Sequence, residues 1–256
     1  MMLTNVLALT LSLAAPHQEA PTAKQLVEKM LVRYNSATTV AGTIHLTVAA
    51  GNNSASMDTA LQFERPAKLY ISQHKNVANP DPDQPNRWLV TSDGKSFSYD
   101  APFDENSLLH TAAGTRLKED IYNKRNGITS DIGSIYLAAG KSLGDRSMPL
   151  DIAISRLDDL KFRRNQWVPP YNVISQKEIR GKTAYIVQGD YRDYAGVQPT
   201  GIFQMAITAD GDLLQYVQKQ KLQIDGHAIE LTSQWDVDLK VNGPVDATLF
   251  KVVISY

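Results

Sequence analysis

The 256-residue chain contains no cysteine. That absence excludes disulfides, cysteine-ligated zinc, iron–sulfur clusters, thiol nucleophiles and a lipidated cysteine near the N-terminus. A surplus of one charge is also missing: 26 Lys plus Arg face 27 Asp plus Glu, a formal charge of -1. Such a balance sets up no long-range field to draw nucleic acid or anionic lipid. No apolar run reaches the roughly 20 residues that a membrane helix needs. There is no G-x-S-x-G, P-loop or G-x-G-x-x-G, so no motif prepares a nucleophile or cradles a phosphate. Histidine is scarce as well: His17, His45, His74, His110 and His227 show no spacing that suggests convergent metal ligands. No cofactor and no metal are expected.

What is present begins with the apolar stretch Val6 to Ala15, followed by Pro-His-Gln-Glu-Ala-Pro. Its length and position suit the h-region of a secretory signal, and Ser12-Leu13-Ala14 puts small residues where a signal peptidase reads. The first Lys or Arg is Lys24, so the n-region is positive only through the α-amino group. The expected division is a signal peptide over residues 1–14, a tether over 15–21 and one domain over 22–256. Thr22 and Gln25 form a capping box. Behind it Ala23, Leu26, Val27, Met30, Leu31 and Tyr34 make one apolar stripe at helical period, with Lys24, Glu28, Lys29 and Arg33 opposite.

From Val40 the period becomes two, which predicts strands at 40–48, 57–63 and 69–72. Asn79 to Asn86, with its prolines, reads as a surface loop. Strands 88–92 and 96–99 flank Asp93-Gly94, a hairpin dipeptide. Segments 107–113, 116–124, 131–139 and 150–157 read as helical, the third capped by Ser130. After Pro169-Pro170 strands return at 173–179, 183–190, 202–208, 213–222 and 228–238. Strands joined by such short turns are antiparallel neighbours.

The predicted fold is mainly β (α+β): an unclosed antiparallel β-barrel of about ten or eleven strands, with an N-terminal amphipathic helix and a helical lid insertion at about 103–168. The inward faces of the strands nominate Ile44, Leu46, Leu61, Phe63, Leu69, Ile71, Trp88, Phe97, Phe203, Met205, Ile229 and Leu231 as a ligand-binding lining. A one-residue slip in register would invert any of these strands. The same residues equally suit a filled core beneath Leu26 and Met30, and patterning does not choose between core and cavity. The acid pairs Glu119-Asp120 and Asp158-Asp159 read as solvated faces and not as acid–base catalysts; no catalytic residue is nominated and no enzyme is expected.

Two blocks carry a family resemblance. Phe63-Glu64-Arg65-Pro66-Ala67-Lys68-Leu69, then Val90-Thr91-Ser92-Asp93-Gly94-Lys95-Ser96-Phe97-Ser98-Tyr99, resemble the periplasmic outer-membrane lipoprotein carriers of the LolA family. Ile207 to Leu214 and Val245-Asp246-Ala247-Thr248-Leu249-Phe250 are similar to the closing part of that family, in the same order. The resemblance implies an apolar interior that receives lipoprotein acyl chains beneath a helical lid. It also implies that Arg65 is the lid latch, a guanidinium hydrogen-bonded to the lid. The helical insertion is longer than the family usually carries.

The expected function is a periplasmic lipid or lipoprotein carrier that shields acyl chains in an apolar groove. The alternative is a LolA-fold sensor or regulatory domain that binds lipoproteins or a protein partner without transfer. The absence of cysteine favours a diffusible carrier over an anchored acceptor of the same fold. Its partners would be acyl chains of lipoproteins or other lipids, an inner-membrane donor and an outer-membrane acceptor, with the carrier itself a monomer and no nucleic acid involved.

Overall fold

Alternating apolar and polar residues build one antiparallel sheet of eleven strands, in the order β6-β5-β4-β3-β2-β1-β11-β10-β9-β8-β7. The computed structural model describes residues 20–76, 86–100, 117–120, 131–139, 143–145, 147–155, 165–192, 200–224 and 227–252. The N-terminal wing holds β1 (Thr39–Ala50), β2 (Asn53–Glu64), β3 (Lys68–Asn76), β4 (Arg87–Asp93), β5 (Ser96–Asp100) and β6 (Leu117–Asp120). The C-terminal wing holds β7 (Trp167–Ile179), β8 (Lys182–Tyr191), β9 (Gly201–Thr208), β10 (Leu213–Ile224) and β11 (His227–Val241). The wings join where β1 pairs with β11, from Val40 opposite Val241 to Ala50 opposite Leu231. Among the described residues β6 and β7 do not pair, so the barrel stays open.

Local chemistry explains the connections. Asp93 Oδ1 accepts from the amides of Lys95 and Ser96, both at 2.8 Å, and fixes the β4–β5 hairpin. Arg180 and Gly181, with φ of 50° and 72°, form the two-residue turn between β7 and β8, where a positive φ matches strand twist. At the junction of the wings Gly42 has φ 152°, and a Cβ there would lie 1.9 Å from the Asp238 carbonyl oxygen. Only glycine permits that approach.

Helix α1 (Ala23–Asn35) has the expected capping box and buries the expected stripe, Ala23, Leu26, Val27, Met30, Leu31 and Tyr34. Helices α2 (Ile132–Ala139) and α3 (Met148–Ile154) complete the cover, and one apolar cluster unites all three helices with both wings.

Three readings of the insertion need correction. Residues 116–124 read as a helix, but Leu117–Asp120 is a strand that pairs with β5 from Tyr99–Leu117 to Ser96–Asp120. The unsatisfied backbone edge of β5 outweighs a weak helical pattern there. The cap of α2 is Asp131 and not Ser130: Asp131 Oδ1 accepts from Ser134 N at 3.1 Å. Helix α3 starts ahead of the expected Leu150 because Ser147 Oγ accepts from Leu150 N at 3.4 Å, with Pro149 in the first turn. Strand β7 also runs through Pro169-Pro170, which an edge strand tolerates because it lacks a ladder partner on one side. Residues 1–19, the helix read at 107–113, Ser130 and Asp158-Asp159 lie outside the described residues.

Candidate functional site

The face nominated from strand alternation is the face that the helices cover. Ile44, Leu46, Leu61, Phe63, Leu69, Ile71, Phe97, Phe203 and Met205 are all at 9% exposure or less, in the cluster with the helices. Beneath α1, α2 and α3 the concavity is therefore a filled core. Trp88, Ile229 and Leu231 lie on the same face but are half-buried.

The register explains the difference. Phe63 pairs with Leu69, and Leu61 with Ile71, in the layers nearest α1 and the β2–β3 turn. The next layers run through Ile44, Thr59, Gln73 and Trp88, then through Met57, Leu46, Trp235 and Tyr216. Beyond them lie Val48 and Leu231, both half-buried, then Ile229. Past its helical cover the face thus continues to a rim at the opposite end, where Val48, Leu231 and Ile229 stand among Ser233, Gln218 and Gln220.

The C-terminal wing contributes an aromatic row of which alternation nominated only Phe203. Ring centroids are 5.8 Å apart for Tyr171 and Phe203, 6.5 Å for Phe203 and Tyr216, and 5.5 Å for Tyr216 and Trp235. Trp167 packs 5.9 Å from Phe203 and donates Nε1 to the Tyr216 hydroxyl at 3.3 Å. Tyr216 escaped strict alternation because the pairing shifts between Leu213 and Gln215, which brings both Leu213 and Tyr216 to the inner face.

Polar contacts fasten each helix in its own way. On α1, Arg33 Nε meets Asp212 Oδ1 at 2.6 Å, Lys29 Nζ donates to the Ala209 carbonyl, and Tyr34 Oη accepts from Leu213 N at 3.3 Å. Burial pushes the Tyr34 phenol well above its ordinary value and keeps it neutral. Helix α2 begins where Ile132 N donates to the Pro66 carbonyl at 2.7 Å. Arg65 reaches across the end of the cover: Nε donates to the Ala37 carbonyl at 2.9 Å, and a terminal nitrogen donates to the Ile154 carbonyl at 3.4 Å. Its guanidinium lies 5.2 Å from the Phe63 ring centroid. It thus links the chain after α1 to the end of α3.

The short connection between α2 and α3 has a different tie. Gln73, fully buried, donates Nε2 to the Asp145 carbonyl at 2.6 Å and accepts at Oε1 from Asp145 N at 3.1 Å. Thr59 Oγ1 accepts from the same Nε2 at 3.3 Å, and Trp235 Nε1 donates to Asp145 Oδ2 at 3.0 Å. The neighbouring Gly144 lies so close to Trp88 that a Cβ would come within 2.9 Å of the ring.

The remaining titratable candidates lie elsewhere. His45 and Asp58 meet at 2.6 Å on the solvent face, and Asn76 Nδ2 donates to Asp58 at 2.9 Å. His74 is exposed, and Glu119-Asp120 is on β6. Among the described residues no group of three His, Asp or Glu side chains could hold a metal ion. A surface cleft of about 390 Å³ lined by Lys68, Asp93, Phe250 and Lys251 lies beside the short 3-10 helix Ala247–Phe250, away from the rim.

The fold and this site define a class by geometry: an open antiparallel sheet of eleven strands whose inner face is partly covered by helices. No protein-family model matches the chain, and no curated protein matches it in sequence. Similar solved structures include the MucA/MucB complex of Pseudomonas aeruginosa, at 11% identity and a TM-score of 0.41 over 89% of this chain and 60% of that one. This chain therefore spans less than two thirds of that relative. LprF from Mycobacterium bovis aligns at 13% identity and a TM-score of 0.39, over 88% and 95% of the two chains. A LolA superfamily protein from Nitrosomonas europaea aligns at 11% identity and a TM-score of 0.29, over 91% and 99%.

Proposed function

We propose that this protein is a carrier that holds the acyl chains of a lipid or lipoprotein against the concave face while they cross the periplasm. The observation that supports the reading is the extension of the inner face beyond α1, α2 and α3, with half-buried Val48, Leu231 and Ile229 leading to the rim. An acyl chain in water costs about 0.8 kcal/mol per CH₂, so a protein that moves one must offer a dry apolar path. Since the space beneath the helices is filled, cargo enters at the rim and goes deeper only by displacing the α2–α3 segment. Arg65 acts in this reading as a latch on α3. The segment 1–14 directs export and is removed, and the domain over 22–256 does the carrying.

The test is displacement of a fluorescent acyl probe from the purified protein, joined to native mass spectrometry of protein taken from its own envelope. Saturable probe binding and a co-purifying lipid or lipoprotein are expected. Neither being found would end the carrier reading. Binding without passage of cargo to acceptor membranes or proteins would favour the sensor alternative.

A further inference from the structure

A fully buried glutamine that bonds the main chain of the helical cover needs a reason. Gln73 presents a donor and an acceptor side by side, and both are taken by the N–H and C=O of a single residue, Asp145. Trp235 adds a third point, its indole N–H donating to the Asp145 carboxylate. These groups come from β3 and β11, on opposite sides of the rim's inner end, in the two layers that precede Val48 and Leu231. The segment that satisfies them belongs to the cover, and its close fit against Trp88 depends on Gly144 having no side chain.

We propose that Gln73 and Trp235 form a polar recognition point inside the apolar face, that Asp145 occupies it as a built-in surrogate ligand, and that cargo replaces Asp145 with an amide-linked acyl group. The inference rests on the acyl-carrier reading and sharpens it. If hydrocarbon alone displaced Leu143 to Asp145, Gln73 would keep only Thr59 Oγ1 for its N–H, its Oε1 and the Trp235 N–H would be left without Asp145, and that penalty opposes binding. An ester supplies acceptors for Gln73 Nε2 and Trp235 Nε1 but leaves Gln73 Oε1 unmatched. An N-acylated residue matches the three groups that hold Asp145: its amide N–H faces Gln73 Oε1, and its own carbonyl or carboxylate oxygens accept from Gln73 Nε2 and Trp235 Nε1. A site built around such groups discriminates sharply against molecules that lack them. The same chemistry occurs on an N-acylated amino acid and on an N-acylated protein terminus.

The experiment competes N-palmitoylglycine, an N-palmitoyl decapeptide, methyl palmitate and hexadecane against a fluorescent acyl probe on the full chain. At least one amide compound should bind about tenfold tighter than the ester and tighter still than the alkane. The tighter amide arm identifies the source. Gln73→Leu should collapse the amide-to-alkane ratio towards one, and Trp235→Phe should reduce it by several-fold. A purely structural role would weaken all ligands alike and leave the ratio unchanged. Equal affinity of wild-type protein for amide, ester and alkane overturns the inference while the carrier reading stands. Failure to bind any of the compounds or the probe overturns both. The wild-type comparison decides the matter even where Gln73→Leu does not fold.

Discussion

Single residues at the edge of the cover set how firmly it is held. Arg65 is half-buried and bonds two carbonyls, one after α1 and one at the end of α3. Hydrogen bonds to a charged group contribute about 1.5–3 kcal/mol when well shielded, and less here. Arg65→Leu should therefore speed hydrogen exchange in α3 by roughly tenfold, a change of about 1.4 kcal/mol, while α1 protection stays the same. Equal loosening of both helices would mean that Arg65 supports the whole fold and is no latch. At the wing junction, Gly42→Ala meets both a positive φ and the Asp238 carbonyl, and should cost about 3 kcal/mol or more in denaturant unfolding. Asp58 gives the pH-dependent case. Its hydrogen bonds from His45 and Asn76 hold the carboxyl below the usual range. The folded value is the lower one, so the contribution is present above the unfolded value near 4 and is lost as pH falls through the folded value. With the side chain 56% exposed, the effect stays below about 1 kcal/mol and shrinks in salt. Asp58→Asn should flatten that part of the acid limb of the stability curve.

At the scale of elements, α1, α2 and α3 all pack into one core, and α1 divides into an inner and an outer side. Met30 is fully buried in α1, whereas Val32 is 58% exposed on its outer side. Met30→Ala should lower stability by about 2–5 kcal/mol, and Val32→Ala should stay within about 0.5 kcal/mol in the same urea titration. Comparable losses would contradict the packing of α1. The stripe of α1 and the strands β1, β2 and β3 were legible in the sequence because each keeps one period over most of its length. The insertion was less legible for a physical reason: its elements are short and owe their form to neighbours, as Leu117–Asp120 does to β5. The inner face was readable from Ile44 to Met205, but Tyr216 lay beyond a pairing shift that no local pattern announces. Gln73 was invisible as a site residue, since a polar residue in strand phase with Leu69 and Ile71 reads as a strand fraying towards solvent.

For the molecule as a whole, the question is which part yields when cargo enters. The sheet runs without a break from β6 to β7, and its central pair β1–β11 is registered over eleven positions, so it is the stiff reference frame. Helix α1 is riveted to it by Arg33–Asp212, Lys29 and Tyr34. The α2–α3 segment is joined through Pro66, Arg65 and the Gln73–Asp145–Trp235 contacts, polar bonds that a polar ligand can replace. Because the chain has no cysteine, spin labels can be placed at will. Lys240 is exposed on the central strand β11, Val32 is exposed on α1 and Leu137 is 44% exposed on α2. Saturating acyl ligand should leave the Val32–Lys240 label distance unchanged and shift the Leu137–Lys240 distance by roughly 5 Å, the radius of a helix with its side chains. Were both distances to stay fixed while ligand binds, the chain would have to lie wholly in the rim, and the filled core beneath the helices would be a floor that cargo never penetrates.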